Sequence, residues 1–112
     1  MTTIDGFVRF PAGLALGGIN GIVRLENVTL ADAPSLFLAT AVFTAERADR
    51  PIPFHLSTGS KIDASQDYIL TVEASAIRVD TGQTQKFGTR SAIVWTPDSP
   101  ASDLTIDIKP WT

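Results

Sequence analysis

Residues 68–95 read YILTVEASAIRVDTGQTQKFGTRSAIVW, and this stretch decides the fold. Tyr68, Leu70, Val72, Ala74 and Ala76 fall on one side of an extended chain, and Thr71, Glu73 and Ser75 on the other. Side chains alternate between the faces of a strand, so a period of two predicts a strand from Tyr68 to Val79 with one buried face. Asp80-Thr81-Gly82-Gln83 then predicts a hairpin turn, with Gly82 free to take positive φ. The return strand spans about Gln85 to Trp95, with Phe87, Thr89, Ser91, Ile93 and Trp95 on one side.

The same alternation extends outward in both directions. Toward the N-terminus, Ile4, Gly6, Val8 and Phe10 share a face, while Phe7 and Arg9 lie off it. Pro11, Gly13, Gly17 and Gly18 form a loop. A second strand covers about Ile19 to Thr29, with Ile19, Gly21, Val23 and Leu25 inward and Arg24 and Glu26 outward. Val28 and Leu30 break that parity, which predicts a bulge near Asn27. Pro34 forces Ala33 into a turn, and a strand apolar on both faces follows at about Leu36 to Ala45. Ile52, Phe54 and Leu56 form a short strand that Pro51 and Pro53 place at a sheet edge. Thr58 to Asp67 is a polar connection with one helical turn around Asp63 to Gln66. After the loop Pro97-Asp98-Ser99-Pro100, Leu104, Ile106 and Ile108 alternate with Thr105, Asp107 and Lys109. About seven such segments predict an all-β fold, a single-domain antiparallel β-sandwich with Greek-key or transthyretin-like wiring. At 112 residues the chain is expected to form one domain over its whole length.

Composition narrows the function classes. With 44% apolar and 19% charged residues the chain is globular rather than disordered. A net charge of −3, with Lys and Arg scattered from Arg9 to Lys109, argues against nucleic acid as a partner. The absence of cysteine excludes a disulfide framework, a thiolate metal site and a thiol nucleophile. No basic n-region, apolar h-region or small-residue cleavage site opens the chain, and no apolar run approaches ~18 residues, so the polypeptide as written is expected to be soluble.

Recognisable chemistry is sparse. His55 is the single histidine and sits on the outer face of an edge strand, without a second metal ligand or a neighbouring nucleophile at a familiar spacing. Asp63 and Asp67 flank the long connection, and Asp63 suits a helix cap. Asp98, Ser99, Ser102 and Asp103 lack calcium-loop spacing, and the glycines between Ala12 and Gly18 lack the order of a phosphate cradle. Asn27-Val28-Thr29 matches a glycosylation acceptor, of consequence only in a eukaryotic secreted protein. No catalytic residue, metal or cofactor is expected.

The aromatic residues carry more information. Phe10, Phe54, Tyr68, Phe87 and Trp95 fall on inward positions, whereas Phe7 and Trp111 do not. These two either cover an open end of the sandwich or offer an exposed contact to another protein. Three functional readings follow. The first is a non-catalytic protein-binding module, which would use an edge strand other than the proline-flanked one or the surface around Phe7. The second is a small-ligand or carbohydrate-binding sandwich, with Trp111 and Trp95 as stacking platforms, or else a purely structural domain. The third is an enzyme of unrecognised type, built around His55 or two close carboxylates.

Several segments, taken in order, resemble a known family. They are Ile4-x-Gly6-x-Val8; Val23-Arg24-Leu25-Glu26-Asn27-Val28 leading into Ala31-Asp32-Ala33-Pro34; Ile52-Pro53-Phe54-His55-Leu56; and Lys61-Ile62-Asp63-Ala64-Ser65-Gln66-Asp67-Tyr68. Together they are similar to the small lipoprotein family that includes the type III secretion pilotins, the YscW and YbaY group. The resemblance implies a compact β-sandwich without catalytic residues. It also implies a lipid anchor in the bacterial outer membrane, a periplasmic location and a secretin-like outer-membrane partner whose assembly the chain assists. The lipid-acceptor cysteine of that family is absent from the sequence, so the resemblance implies either a signal upstream of Met1 or an unanchored cytoplasmic relative.

Overall fold

The computed structural model describes residues 2–28, 36–58, 66–89, 93–96 and 104–111. Within them the chain forms β1 (Thr2–Arg9), β2 (Leu16–Asn27), β3 (Leu36–Arg47), β4 (Ile52–Thr58), β5 (Tyr68–Arg78), β6 (Thr84–Gly88), β7 (Ile93–Trp95), β8 (Leu104–Asp107) and β9 (Lys109–Pro110). A three-stranded sheet has the order β4-β1-β8, and a six-stranded sheet the order β3-β2-β5-β6-β9, with β7 beside β5. The expected all-β sandwich is therefore present, with β4 at a sheet edge. The turn expected at Ala31 to Ser35, most of the helical turn around Asp63 to Gln66 and the loop Pro97 to Pro100 lie outside the described residues.

Two expected strands divide, and each division has a physical cause. The strand expected over Gln85 to Trp95 becomes β6 and β7, both paired antiparallel to β5. Thr89 ends β6 by taking both backbone groups of Val72: its N–H donates to the Val72 carbonyl at 3.1 Å, and its hydroxyl accepts from the Val72 N–H at 3.3 Å. With that hydroxyl in place of a carbonyl the ladder stops, and pairing resumes at Ile93 opposite Leu70. The final strand divides at Ile108. β8 pairs with β1 in parallel, so the smaller sheet is not purely antiparallel, and β9 pairs with β6 of the other sheet. Ile108 is buried at the crossing, and its N–H donates to the Arg9 carbonyl at 3.1 Å.

The bulge expected near Asn27 lies between Leu25 and Glu26, where β3 slips by one residue against β2. A second irregularity, not expected, falls between Gly17 and Asn20 opposite β5. Gly18 takes φ of 55° there, a conformation that costs a residue with a Cβ. The hairpin after β5 matches its sequence, with Gly82 at φ of 73° and its N–H donating to the Arg78 carbonyl at 2.7 Å.

The core follows the alternation. Ile4, Val8, Val23, Leu25, Leu56 and Leu70 are fully buried, each stabilising the fold by ~1.5–3 kcal/mol relative to exposure. Phe10 and Phe87 join the two sheets edge-to-face with centroids 5.0 Å apart, and Tyr68 meets Trp95 similarly at 6.2 Å. β3, apolar on both faces in sequence, resolves its register by burying Ala39, Ala41 and Phe43 and leaving Val42 outside. Inward glycines make room for rings: Phe43 lies over its cross-strand partner Gly21, and Phe54 over Gly6.

Two outcomes test this packing. A Cβ at Gly6 would stand 2.9 Å from the Phe54 ring and meet the Leu104 carbonyl, whereas one at Gly82 meets nothing within 4 Å. Gly6→Ala should therefore lower unfolding stability by about 2–3 kcal/mol in urea titration, and Gly82→Ala, strained only in its backbone, by about 1 kcal/mol. The second outcome concerns Arg9, which grips Asp107 across the parallel β1–β8 pair through Nε to Oδ1 at 2.5 Å and Nη2 to Oδ2 at 3.0 Å. Hydrogen bonding to this guanidinium, reinforced by its charge, holds the Asp107 carboxyl below the usual carboxylate range. A carboxyl depressed in the folded state stabilises above its unfolded pKa, and that stabilisation is lost as pH falls through the folded value. Arg9→Gln should lower the urea midpoint at neutral pH, and its gap from wild type should close once pH drops below ~3.9 toward the folded value.

Candidate protein-docking groove

The outer face of the six-stranded sheet presents the residues that alternation leaves outside. One row across the strands pairs Val42 with Ile22, Ile22 with Glu73, and Glu73 with Gly88, beyond which lies Lys109. The neighbouring row pairs Thr44 with Asn20, Asn20 with Ser75, and Ser75 with Lys86. Trp111 extends β9 along β6, its N–H donating to the Lys86 carbonyl at 2.9 Å. Its indole lies against Gly88, where a Cβ would collide with Nε1 and the adjoining ring atoms. The bare glycine is thus the seat of the tryptophan, which remains 52% exposed.

Beside this ring is an open groove of about 380 Å³. It is lined by Gly21, Ala74 and Ser75 together with Ile22, Trp111 and Lys86. Glu73, the acid at the groove, is bridged by Arg24 at 3.2 Å. Thr71 donates to Glu26 at 2.9 Å on the same face, so Glu26 is also partnered.

Phe7 lies on the other side of the sandwich and is 37% exposed. It shares a second groove, of about 440 Å³, with Val42, Pro53, Phe54, Asp5 and His55 where the edges of β3 and β4 approach one another. The two aromatics singled out in the sequence thus line separate grooves. Trp111 packs on a sheet face rather than over an open end. Trp95 is buried against Tyr68, its indole N–H without a partner among the described residues. It cannot serve as a stacking platform, and the carbohydrate reading is left with Trp111 alone. Gly88, Ile22 and Lys86, which complete the groove, were not marked by the sequence. A glycine two positions after an outward Lys86, together with Ile22 among outward polar residues, is the signal that was there.

His55 faces outward as expected, and strand pairing gives it a neighbour that sequence spacing did not reveal. Asp5 is its cross-strand partner and accepts a hydrogen bond from Nδ1, while the Ser57 hydroxyl lies 3.2 Å from Nε2. The order Asp5–His55–Ser57 is that of a nucleophilic triad. Its setting is not: the His55 and Asp5 side chains are 62% and 53% exposed on an open sheet face, and Ser57 does not line the adjacent groove. A nucleophile works when an oxyanion site and a substrate cavity surround it, whereas Ser57 is exposed on that face. No group of three or more metal-binding side chains occurs among the described residues.

A protein-family model described as the type III secretion system lipoprotein chaperone (YscW) matches residues 1–105. The chain belongs to this family. Among solved structures, the chain is similar to an alternative pilotin from the type II secretion system of Vibrio cholerae, with 26% identity and a TM-score of 0.76. The similarity covers 99% of this chain and 97% of that one. No curated protein matches the chain. The short motifs of the sequence thus resemble the family that the match shows, and the two-sheet architecture is similar to that of the Vibrio cholerae pilotin.

The exposed triad yields a direct check. Hydrolysis of p-nitrophenyl acetate by wild type and by Ser57→Ala should be the same, with no acyl-enzyme burst in either. A burst that disappears with Ser57→Ala would overturn the non-nucleophilic reading of this cluster.

Proposed function

We propose that this YscW-family chain is a non-catalytic pilotin-type chaperone that binds a secretin subunit and assists its assembly in the outer membrane. The carrying observation is the family match over residues 1–105, extended by the pilotin likeness along nearly the full length of both chains. The surface chemistry supports the same reading. Two open grooves with exposed aromatic residues suit contact with a protein, because Trp and Phe bury large area at low entropic cost and Trp commonly anchors interfaces. Trp111 is the principal contact in this reading and Phe7 a secondary one. The working location is the periplasm, at the inner face of the outer membrane, where the polypeptide operates as one domain.

Deleting the gene in its native cells, and following the secretin by electrophoresis of the outer-membrane fraction, tests this function. The heat-resistant secretin multimer should disappear or move to the inner membrane, and expression of the intact gene should restore it. A secretin multimer unchanged in amount and location would remove the chaperone role.

A further inference from the structure

We infer that the Trp111 groove is built to receive an apolar side chain flanked by carboxylates, on an acidic segment of the protein partner. The inference rests on the protein-binding reading above and adds the chemistry of what is bound. The groove is too open to enclose a free small ligand, since such sites bury most of the ligand surface. Its volume of about 380 Å³ and its small lining residues Gly21, Ala74 and Ser75 instead admit one or two side chains. Ile22 and Trp111 give that side chain apolar surface.

Charge selects what lies beside it. Glu73 is occupied by Arg24, whereas Lys86 and Lys109 make no ion pair among the described residues and both are exposed. They are placed on either side of the indole. Lys109 precedes Trp111 by two residues on β9, and Lys86 is the residue whose carbonyl receives the Trp111 N–H. Asp107 feels the charge of Lys109 but is itself held by Arg9 on the other sheet. The groove therefore carries local positive charge on a chain whose net charge is −3. That contrast favours an acidic peptide segment over a membrane. Two lysines fall short of the clusters of ~4–8 that hold anionic lipid, and the surrounding negative charge repels a lipid surface while leaving a short contact in the groove attractive.

The test uses the full chain and synthetic 12-residue peptides. One carries two Leu and one Phe flanked by four Glu; a second has Gln at every Glu position, and a third has Lys there. Anisotropy of labelled peptide gives affinity, and Trp111 emission reports occupancy. The acidic peptide should bind, with affinity falling as salt rises. Its Gln counterpart should bind about two- to thirtyfold more weakly, as two modest ion pairs imply, and its Lys counterpart more weakly still. Lys86→Gln with Lys109→Gln should erase the preference for Glu over Gln, and Trp111→Ala should abolish binding to all three peptides. Urea midpoints matching wild type establish that these variants fold.

Equal binding of the Glu and Gln peptides, binding that survives Trp111→Ala, or no binding of the acidic peptide would overturn the inference. So would a Trp111 emission shift with phosphatidylglycerol vesicles but not with peptide. The outcome separates from that of the secretin experiment. If multimers depend on the gene but the Glu preference is absent, the groove chemistry falls and the chaperone role stands. If the preference is present but multimers are indifferent to the gene, the reverse holds.

Discussion

The passage of the last strand from one sheet to the other at Ile108 is the constraint on which the rest of the molecule depends. On one side of it, β8 pairs in parallel with β1, and Arg9 and Asp107 bridge the two strands. On the other, β9 pairs with β6. Ile108 is buried between the sheets, so its side chain fills the core at the point where the backbone crosses, and its N–H is satisfied by Arg9. A buried backbone donor without a partner would be costly, and the Arg9 carbonyl removes that cost where neither ladder is continuous. The crossing also fixes the seat of Trp111. Because β9 arrives on the flank of β6 with Lys109 opposite Gly88, the next outward residue, Trp111, has a bare glycine to lie on.

Glycine beneath an aromatic ring recurs in this protein, with opposite consequences on the two faces. Inside, Gly6 and Gly21 let Phe54 and Phe43 lie flat across their own sheets, so large rings fit without pushing the layers apart. Outside, Gly88 lets Trp111 fold down over the sheet instead of standing free. An indole held in this way has lost much of its conformational freedom before any partner arrives. Ordering an interfacial side chain costs roughly 0.5–1.5 kcal/mol, and a pre-seated ring avoids part of it. The same substitution of glycine by a larger residue would thus act on core packing at Gly6 and on the seat of Trp111 at Gly88.

How much of this was legible in the sequence depends on whether the controlling contact is local. Alternation in β5 and the Gly82 turn are local, so strand, face and hairpin could be read from Tyr68 to Gln83 without a fold. β3 could not be read this way, because Leu36 to Ala45 is apolar on both faces and only its pairing with β2 decides that Val42 stays outside. The division of β6 from β7 is set by Thr89 reaching Val72, a contact between strands that no periodicity reports. Ile108 looks like one more inward residue of a regular strand, since alternation is the same on both sides of the crossing. Trp111 was conspicuous as an aromatic beyond the last full strand, but its seat on Gly88 is a cross-strand relation. His55 shows the limit most sharply. Ser57, two residues on along the same face of β4, was within reach of the sequence, but only the pairing of β4 with β1 brings Asp5 to the imidazole.

That cluster also shows why constellation alone does not make a site. Asp5, His55 and Ser57 have the order of a catalytic triad on a face where water reaches each of them, so charge developing there would be stabilised by solvent and not by fixed dipoles. The Trp111 groove has almost no chemistry: Ile22 and Trp111 give it apolar surface, its acid Glu73 is bridged by Arg24, and Lys86 lines it. A groove of this size holds a side chain or two and not a whole domain, and exposed ion pairs contribute ~0.2–1 kcal/mol each. Contact confined to such a groove is weak enough to be reversed. Reversibility suits a chaperone that must surrender its client to an assembly, and here it follows from the openness of the groove on the sheet face.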